Sequence, residues 1–248
     1  MIPVTITRKN AGPWLRFALR ESGRKIRSLM LSKGDREVRA LAYVKANAEE
    51  GNPESVLAAL DAFAREEQFL MNVGDEKGAI LSDLLVVNDV TRVLELGAYC
   101  GYSAVMIASK IAARGGKLIS VEKSPELAEI ARQVVAFAGL ADTVEFRVGS
   151  AAGILPTLEE EPFGLVFIDH LKSSYLPDLK ILEEKGLLAD GCRVVADNIG
   201  IFISSLDSYL DYVRNSPQYT SRYYPSRMEY VDTIDDGMEI SVYRRFSA

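Results

Sequence analysis

The sequence predicts an α/β fold: a doubly wound, mostly parallel sheet with helices ahead of it and an antiparallel strand along one edge. Three observations carry that prediction. Short apolar runs of strand length recur at 93–96, 118–121, 144–148, 165–168 and 194–196, as fully buried parallel strands do. Between them, 103–113, 125–138, 151–158 and 175–188 are each long enough for the crossover that a parallel pair requires. The last stretch, 238–246, alternates apolar with polar residues and suits an antiparallel strand. A chain of 248 residues, 48% hydrophobic and 26% charged, is large enough to bury such a core.

The chain opens on a basic extension, residues 1–34. It holds Arg8, Lys9, Arg16, Arg20, Arg24, Lys25, Arg27 and Lys33 against Glu21 alone, although the whole chain carries −6. That shift in charge marks a boundary with a domain over 35–248. Within the extension, Trp14, Leu15, Phe17, Ala18 and Leu19 are followed by Ile26, Leu29, Met30 and Leu31, interrupted by cations and by Gly23. Such a segment suits an amphipathic helix on an anionic membrane or another partner, an organellar leader, or an extension that is solvated or docked locally. No secretory h-region and no run of about 18 apolar residues occurs. The expectation is a soluble, cytoplasmic protein, with organellar or membrane-peripheral targeting by the extension as the alternative.

From Asp35, the residues Val38, Leu41, Ala42 and Val44 repeat at helical spacing. Gly51-Asn52-Pro53 then breaks this helix and starts a second, which carries Val56, Leu57, Leu60, Phe63 and Ala64. A third follows the Gly74-Asp75 turn over about 77–85, and the sheet begins after it.

Composition excludes several function classes. A net charge of −6 argues against nucleic acid as the partner, because phosphate recognition needs clustered Lys and Arg. Cys100 and Cys192 are too few for a disulfide framework and too far apart for a zinc site, so they read as free thiols. The sequence assigns no oligomeric state.

In an open α/β sheet, ligands bind beyond the carboxyl ends of the strands. The first strand ends in Glu95-Leu96-Gly97-Ala98-Tyr99-Cys100-Gly101, a G-x-x-x-G turn preceded by an acid. A dinucleotide fingerprint has the different spacing G-x-G-x-x-G, so a nucleoside with a zwitterionic arm fits better than NAD. The second strand ends at Glu122, about 20 residues on, where a carboxylate can accept both hydroxyls of a ribose. Asp169 ends the fourth strand, and Asp197-Asn198 end the fifth. These three hard oxygen donors at adjacent strand ends suit Mg²⁺, whereas a lone aspartate there would read as a helix cap. Lys172 lies three residues past Asp169, within reach of the same cleft as a base, although a surface lysine is the competing reading. His170, the only histidine, reads as a packing or hydrogen-bonding side chain. No G-x-S-x-G elbow or Walker loop supports hydrolysis or phosphoryl transfer.

Four segments carry a family resemblance: Met71-Asn72-Val73-Gly74-Asp75-Glu76-Lys77-Gly78, Leu94 to Val105, Tyr175-Leu176-Pro177-Asp178 and Ala196-Asp197-Asn198. In these the chain resembles the catechol O-methyltransferases, class I S-adenosylmethionine-dependent methyltransferases of Rossmann-like fold, from about Arg36 to Tyr243. The resemblance implies that Val73, Glu95 and Ser103 hold the methionine arm and Glu122 the ribose, with Met71 and Tyr99 around the sulfonium. It also places Gly97, Lys123, Ala151, Asp169 and His170 along the cofactor. Asp169, Asp197 and Asn198 would bind Mg²⁺, Lys172 would be the base, and Glu229 would accept a hydrogen bond from the second hydroxyl of the substrate. Phe69 and Leu171 stand where the animal enzymes of this family have tryptophans, and Phe202 stands close to where a gatekeeping proline is expected in them, so the substrate wall is remodelled. The implied reaction is Mg²⁺-dependent methylation of one hydroxyl of a catechol or similar vicinal aromatic diol. The alternative is a noncatalytic protein of the same fold, docked through its basic extension.

Overall fold

The computed structural model describes residues 11–31 and 36–245, with side chains over 11–23 and 36–245. The basic residues Arg8, Lys9 and Lys33 lie outside the described residues. Helix α1 spans Ala11–Leu31, and α2 (Arg36–Asn47), α3 (Pro53–Ala62) and α4 (Gly74–Val87) precede the sheet. The Gly51-Asn52-Pro53 break acts as its chemistry dictates. The Asn52 side chain accepts the Ser55 N–H at 3.1 Å and caps α3, with Pro53 at the first helical position, where its missing N–H has no partner to lose. The third helix is longer than predicted, because the turn at Gly74 is already its first turn.

Strands β1 (Arg92–Leu96), β2 (Lys117–Glu122), β3 (Val144–Val148), β4 (Phe163–Ile168) and β5 (Leu188–Ala196) are parallel. Two antiparallel strands, β6 (Tyr219–Met228) and β7 (Val231–Tyr243), complete a seven-stranded sheet of order β3-β2-β1-β4-β5-β7-β6. Helices α5 (Tyr102–Ile111), α6 (Pro125–Phe137), α7 (Ala151–Ile154), α8 (Tyr175–Glu184) and α9 (Ile203–Asn215) complete the two faces. Side chains alternate across the pleat. Leu165 and Phe167 face the core formed with α2 to α6, while Val166 and Ile168 face the core of α7 to α9.

Four departures from the predicted elements have physical reasons. Strand β3 is half exposed rather than fully buried, because it is the sheet edge. Residue 188 belongs to β5, since Gly186 ends the helical stretch in a left-handed conformation, φ +67°. Helix α9 was not predicted, although Leu206, Tyr209, Leu210 and Val213 give it one buried face. Strand β6 was not predicted either. It lies outside β7 as the true antiparallel edge, and half of it is exposed, so Pro225 is tolerated there despite lacking an N–H.

The chain order reverses between β1 and β4, and the carboxyl ends of β1, β4 and β5 are tied together: Asp169 N–H donates to Leu96 C=O at 2.9 Å, and Asp197 N–H to Ile168 C=O at 3.1 Å. A crevice at this switch point is where the fold places its ligand.

Candidate active site

A cleft of about 690 Å³ opens above these strand ends, within the size range of small-molecule sites. Its lining includes fourteen of the residues singled out in the sequence: Phe69, Met71, Gly97, Tyr99, Glu122, Lys123, Ala151, Asp169, His170, Leu171, Lys172, Asn198, Phe202 and Glu229. Val73, Glu95, Ser103 and Asp197 are buried around it.

Gly97 ends β1 with φ +103°, and a Cβ there would sit 2.6 Å from the Asp169 carbonyl oxygen, so only glycine lets β1 and β4 close at this point. The turn beyond it is stapled by Glu122, whose Oε2 accepts the N–H groups of Ala98 and Tyr99, each at 3.1 Å. Tyr99 has φ +47°, and its hydroxyl donates to Glu37 at 2.8 Å, which anchors the turn to α2. Beneath the turn, Glu95 is fully buried. The Ser120 hydroxyl donates to its Oε2, while Oε1 has no partner. Burial raises its pKa to about 7 against the opposing pull of the Ser103 and Ser120 hydroxyls.

At the ends of β4 and β5 two lysines organise the oxygens. Lys172, itself buried, donates to Asp169 Oδ1 at 3.0 Å, Asn198 Oδ1 at 2.7 Å and the Tyr175 hydroxyl at 2.6 Å. Lys77, 1% exposed, donates to Asp197 Oδ2 and Asp236 Oδ2 at 2.9 Å each, and to Glu229 Oε1. Burial opposes the Lys77 charge, but the three carboxylates outweigh it and hold its pKa well above the ordinary range. Burial pushes Asp197 and Glu229 upward, only partly relieved by Lys77. Asn198 adopts φ +60°, and its amide reaches Glu229 Oε1 at 3.1 Å.

Sequence reasoning missed Lys77, Asp236 and Tyr175. Lys77 and Tyr175 stand in segments that carry the family resemblance without a role of their own, and Asp236 lies outside those segments. His170 Nε2 meets Asp178 Oδ2 at 2.6 Å and its ring stacks on Tyr175, while Nδ1 is buried without a partner. Both cysteines are free and buried, and burial raises each pKa to about 12.

The extension also reaches the cleft. Trp14 and Phe17 on α1 line it, packed on the cluster of Phe69, Ile201, Met228, Val231 and Ile234. Among the described residues no helix is long and apolar enough to cross a membrane.

Residues 48–205 match the O-methyltransferase family model. The chain is 44% identical over 217 residues to catechol O-methyltransferase B of Danio rerio, covering 86% of this chain and 81% of that protein. It is 39% identical over 219 residues to the catechol O-methyltransferase of Mus musculus, covering 87% and 81%. In fold it is similar to the O-methyltransferase TomG from Streptomyces achromogenes, solved in complex with S-adenosylmethionine, with TM-score 0.68, 22% identity, and coverage of 97% of this chain and 100% of that one. With this sheet order, glycine turn and strand-end cleft, the chain belongs to the catechol O-methyltransferase family and is an S-adenosylmethionine-dependent O-methyltransferase.

Proposed function

We propose that the protein transfers a methyl group from S-adenosylmethionine to one hydroxyl of a catechol or similar vicinal aromatic diol, with Mg²⁺ held by Asp169, Asp197 and Asn198 and with Lys172 as the base. The convergence of Lys172 on Asp169 and Asn198 carries this reading, since one cation already draws together two of the three assigned donors. All three donors are hard oxygens, which fits Mg²⁺. For the cofactor, the orphaned Glu95 Oε1 fits an ammonium group such as the one on the methionine arm, and the bare Gly97 surface admits close approach.

When bound, Mg²⁺ supplies the positive charge that makes a catechol hydroxyl acidic near neutral pH, and S-adenosylmethionine supplies the methyl group. Glu95 would hold the amine of the methionine arm, and Glu122 would hold the ribose at the stapled turn. Lys172 Nζ, as the neutral amine left once its own proton has passed to solvent, takes the hydroxyl proton. Glu229 accepts a hydrogen bond from the neighbouring hydroxyl, so that one oxygen is fixed for in-line attack. Phe69, Leu171 and Phe202 form the apolar wall against which the ring lies.

The test is methyl transfer to catechol and to phenol, each with and without Mg²⁺. Turnover of catechol that requires Mg²⁺, with phenol far poorer, is expected. Comparable kcat/KM for the two would refute the two-oxygen arrangement, and absence of transfer to any vicinal diol would remove the catechol reading.

A further inference from the structure

Phe69 and Leu171 line the cleft, and α1 reaches the same place from outside residues 48–205 of the family match. Trp14, Phe17 and Glu21 fall at three- and four-residue spacing on one face of α1 and are half-buried, while Leu15 and Leu19 are 62% and 66% exposed on another face. Phe17 meets Phe69 edge to face with centroids 5.1 Å apart, and Trp14 meets Phe17 in the same way at 5.8 Å. Glu21 Oε2 accepts the Phe69 N–H at 3.1 Å, and Arg36 donates to the Phe69 carbonyl at 3.1 Å, so α1 and α2 clamp the residue that carries the wall. The indole N–H of Trp14 is buried and has no partner. A buried donor left unmade carries a free-energy penalty that an acceptor on a ligand would relieve.

We propose that α1 forms the outer wall of the substrate site. Trp14 and Phe17 are specificity residues that select catechols carrying an apolar ring substituent with a neutral hydrogen-bond acceptor, met by the Trp14 N–H. The inference rests on the catechol reading above and goes beyond it, because it assigns substrate choice to a helix in the N-terminal extension. Their ring contacts are with each other and with Phe69, so both act at the outer wall, on binding of the substituent.

Three probes separate the contributions: catechol, 4-butylcatechol and 4-(3-oxobutyl)catechol, which adds a ketone to nearly the same chain. In the full-length protein, replacing both Trp14 and Phe17 by Ala is expected to lower kcat/KM for the two substituted catechols, through KM, by about tenfold more than for catechol. Trp14→Phe keeps the wall and removes the donor, so it is expected to erase the ketone's advantage over the butyl chain, about threefold or more, and to leave 4-butylcatechol within about twofold. Equal effects on all three substrates, or none, would overturn the proposal. Trp14 is the only tryptophan in the chain, so its emission gives a readout independent of turnover. Adding 4-(3-oxobutyl)catechol with S-adenosylhomocysteine and Mg²⁺ is expected to reduce acrylamide quenching, and unchanged quenching would count against α1 as the wall. Loss of quenching without any methyl transfer in the wild type would sink the catechol chemistry while sustaining the binding wall. Normal turnover with no response at Trp14 would do the reverse.

Discussion

Glu95 gives the sharpest test of the cofactor assignment, because its environment makes opposite demands in the free and the bound protein. Burial raises its pKa from an ordinary 4.5 to about 7. Between those values the folded protein keeps a proton that the unfolded chain has released, so stability falls as pH rises through the window and the penalty is complete above about pH 7. At 1.36 kcal/mol per pKa unit the whole penalty is about 3 kcal/mol. Glu95→Gln removes it and keeps an oxygen for the Ser120 hydroxyl, while burying a new amide that offsets part of the gain at every pH. Relative to wild type, the variant is therefore expected to be about 2 kcal/mol better off at pH 8 than at pH 5.5, measured as the difference between urea-unfolding free energies. S-adenosylmethionine binding should weaken by about ten- to a hundredfold, the worth of a charged hydrogen bond. In wild type, binding at pH 7 should release about half a proton, because Glu95 is half protonated before it meets the ammonium. Calorimetry in two buffers of different ionisation enthalpy reads that release. A stability difference independent of pH, together with unchanged cofactor affinity, would refute the assignment of Glu95 to the methionine arm.

Two further outcomes follow from the strand-end oxygens. Asp169→Ala should abolish Mg²⁺-dependent turnover of catechol with the circular dichroism spectrum intact, whereas a helix-cap role predicts loss of about 1 kcal/mol with activity kept; a folded, fully active variant would exclude Asp169 as a metal ligand. Lys77→Met should lower the unfolding free energy by about 3–5 kcal/mol at neutral pH, because three buried carboxylates lose their common partner, and the loss should shrink toward acid pH as Asp197 and Glu229 protonate; a urea midpoint that is unchanged at neutral pH would show the pairing to be energetically idle.

The parallel core was legible because its signals are local. Apolar runs of strand length, a Gly-Asn-Pro break and a glycine turn after an acid each specify backbone geometry within a few residues, and β1, β2 and β4 lie within a residue or two of their predicted bounds. Strand β6 was hidden because an exposed edge needs no apolar pattern, and its Pro225 argues against a strand except at an edge. Candidate donors at strand ends were legible because the fold concentrates ligands there. Lys77 and Asp236 were not, because they enter the site from α4 and β7, far apart in sequence, and their meaning exists only once those elements pack together. The same holds for Trp14 and Phe17, whose apolar face looked equally suited to a lipid surface until Phe69 was seen beside it.

The oxygens at the strand ends form one electrostatic unit, and its charge balance links the stability of the fold to its chemistry. Asp169, Asp197, Glu229 and Asp236 carry four formal negative charges when ionised, and Lys77 and Lys172 return two. Burial disfavours the remaining imbalance, which is why Asp197 and Glu229 are pushed toward their protonated forms. A divalent cation would favour the ionised forms of Asp197 and Glu229, and it would do so beside the place where Asp169 and Asn198 already hold Lys172 Nζ. The two lysines then divide the work by position. Lys77 is enclosed by carboxylates beneath the cleft and can only neutralise them, whereas Lys172 lies on the cleft wall beside Phe202 and can exchange a proton with a ligand. In the proposed reaction, therefore, the structural cation and the reactive amine are kept apart by depth below the cleft surface.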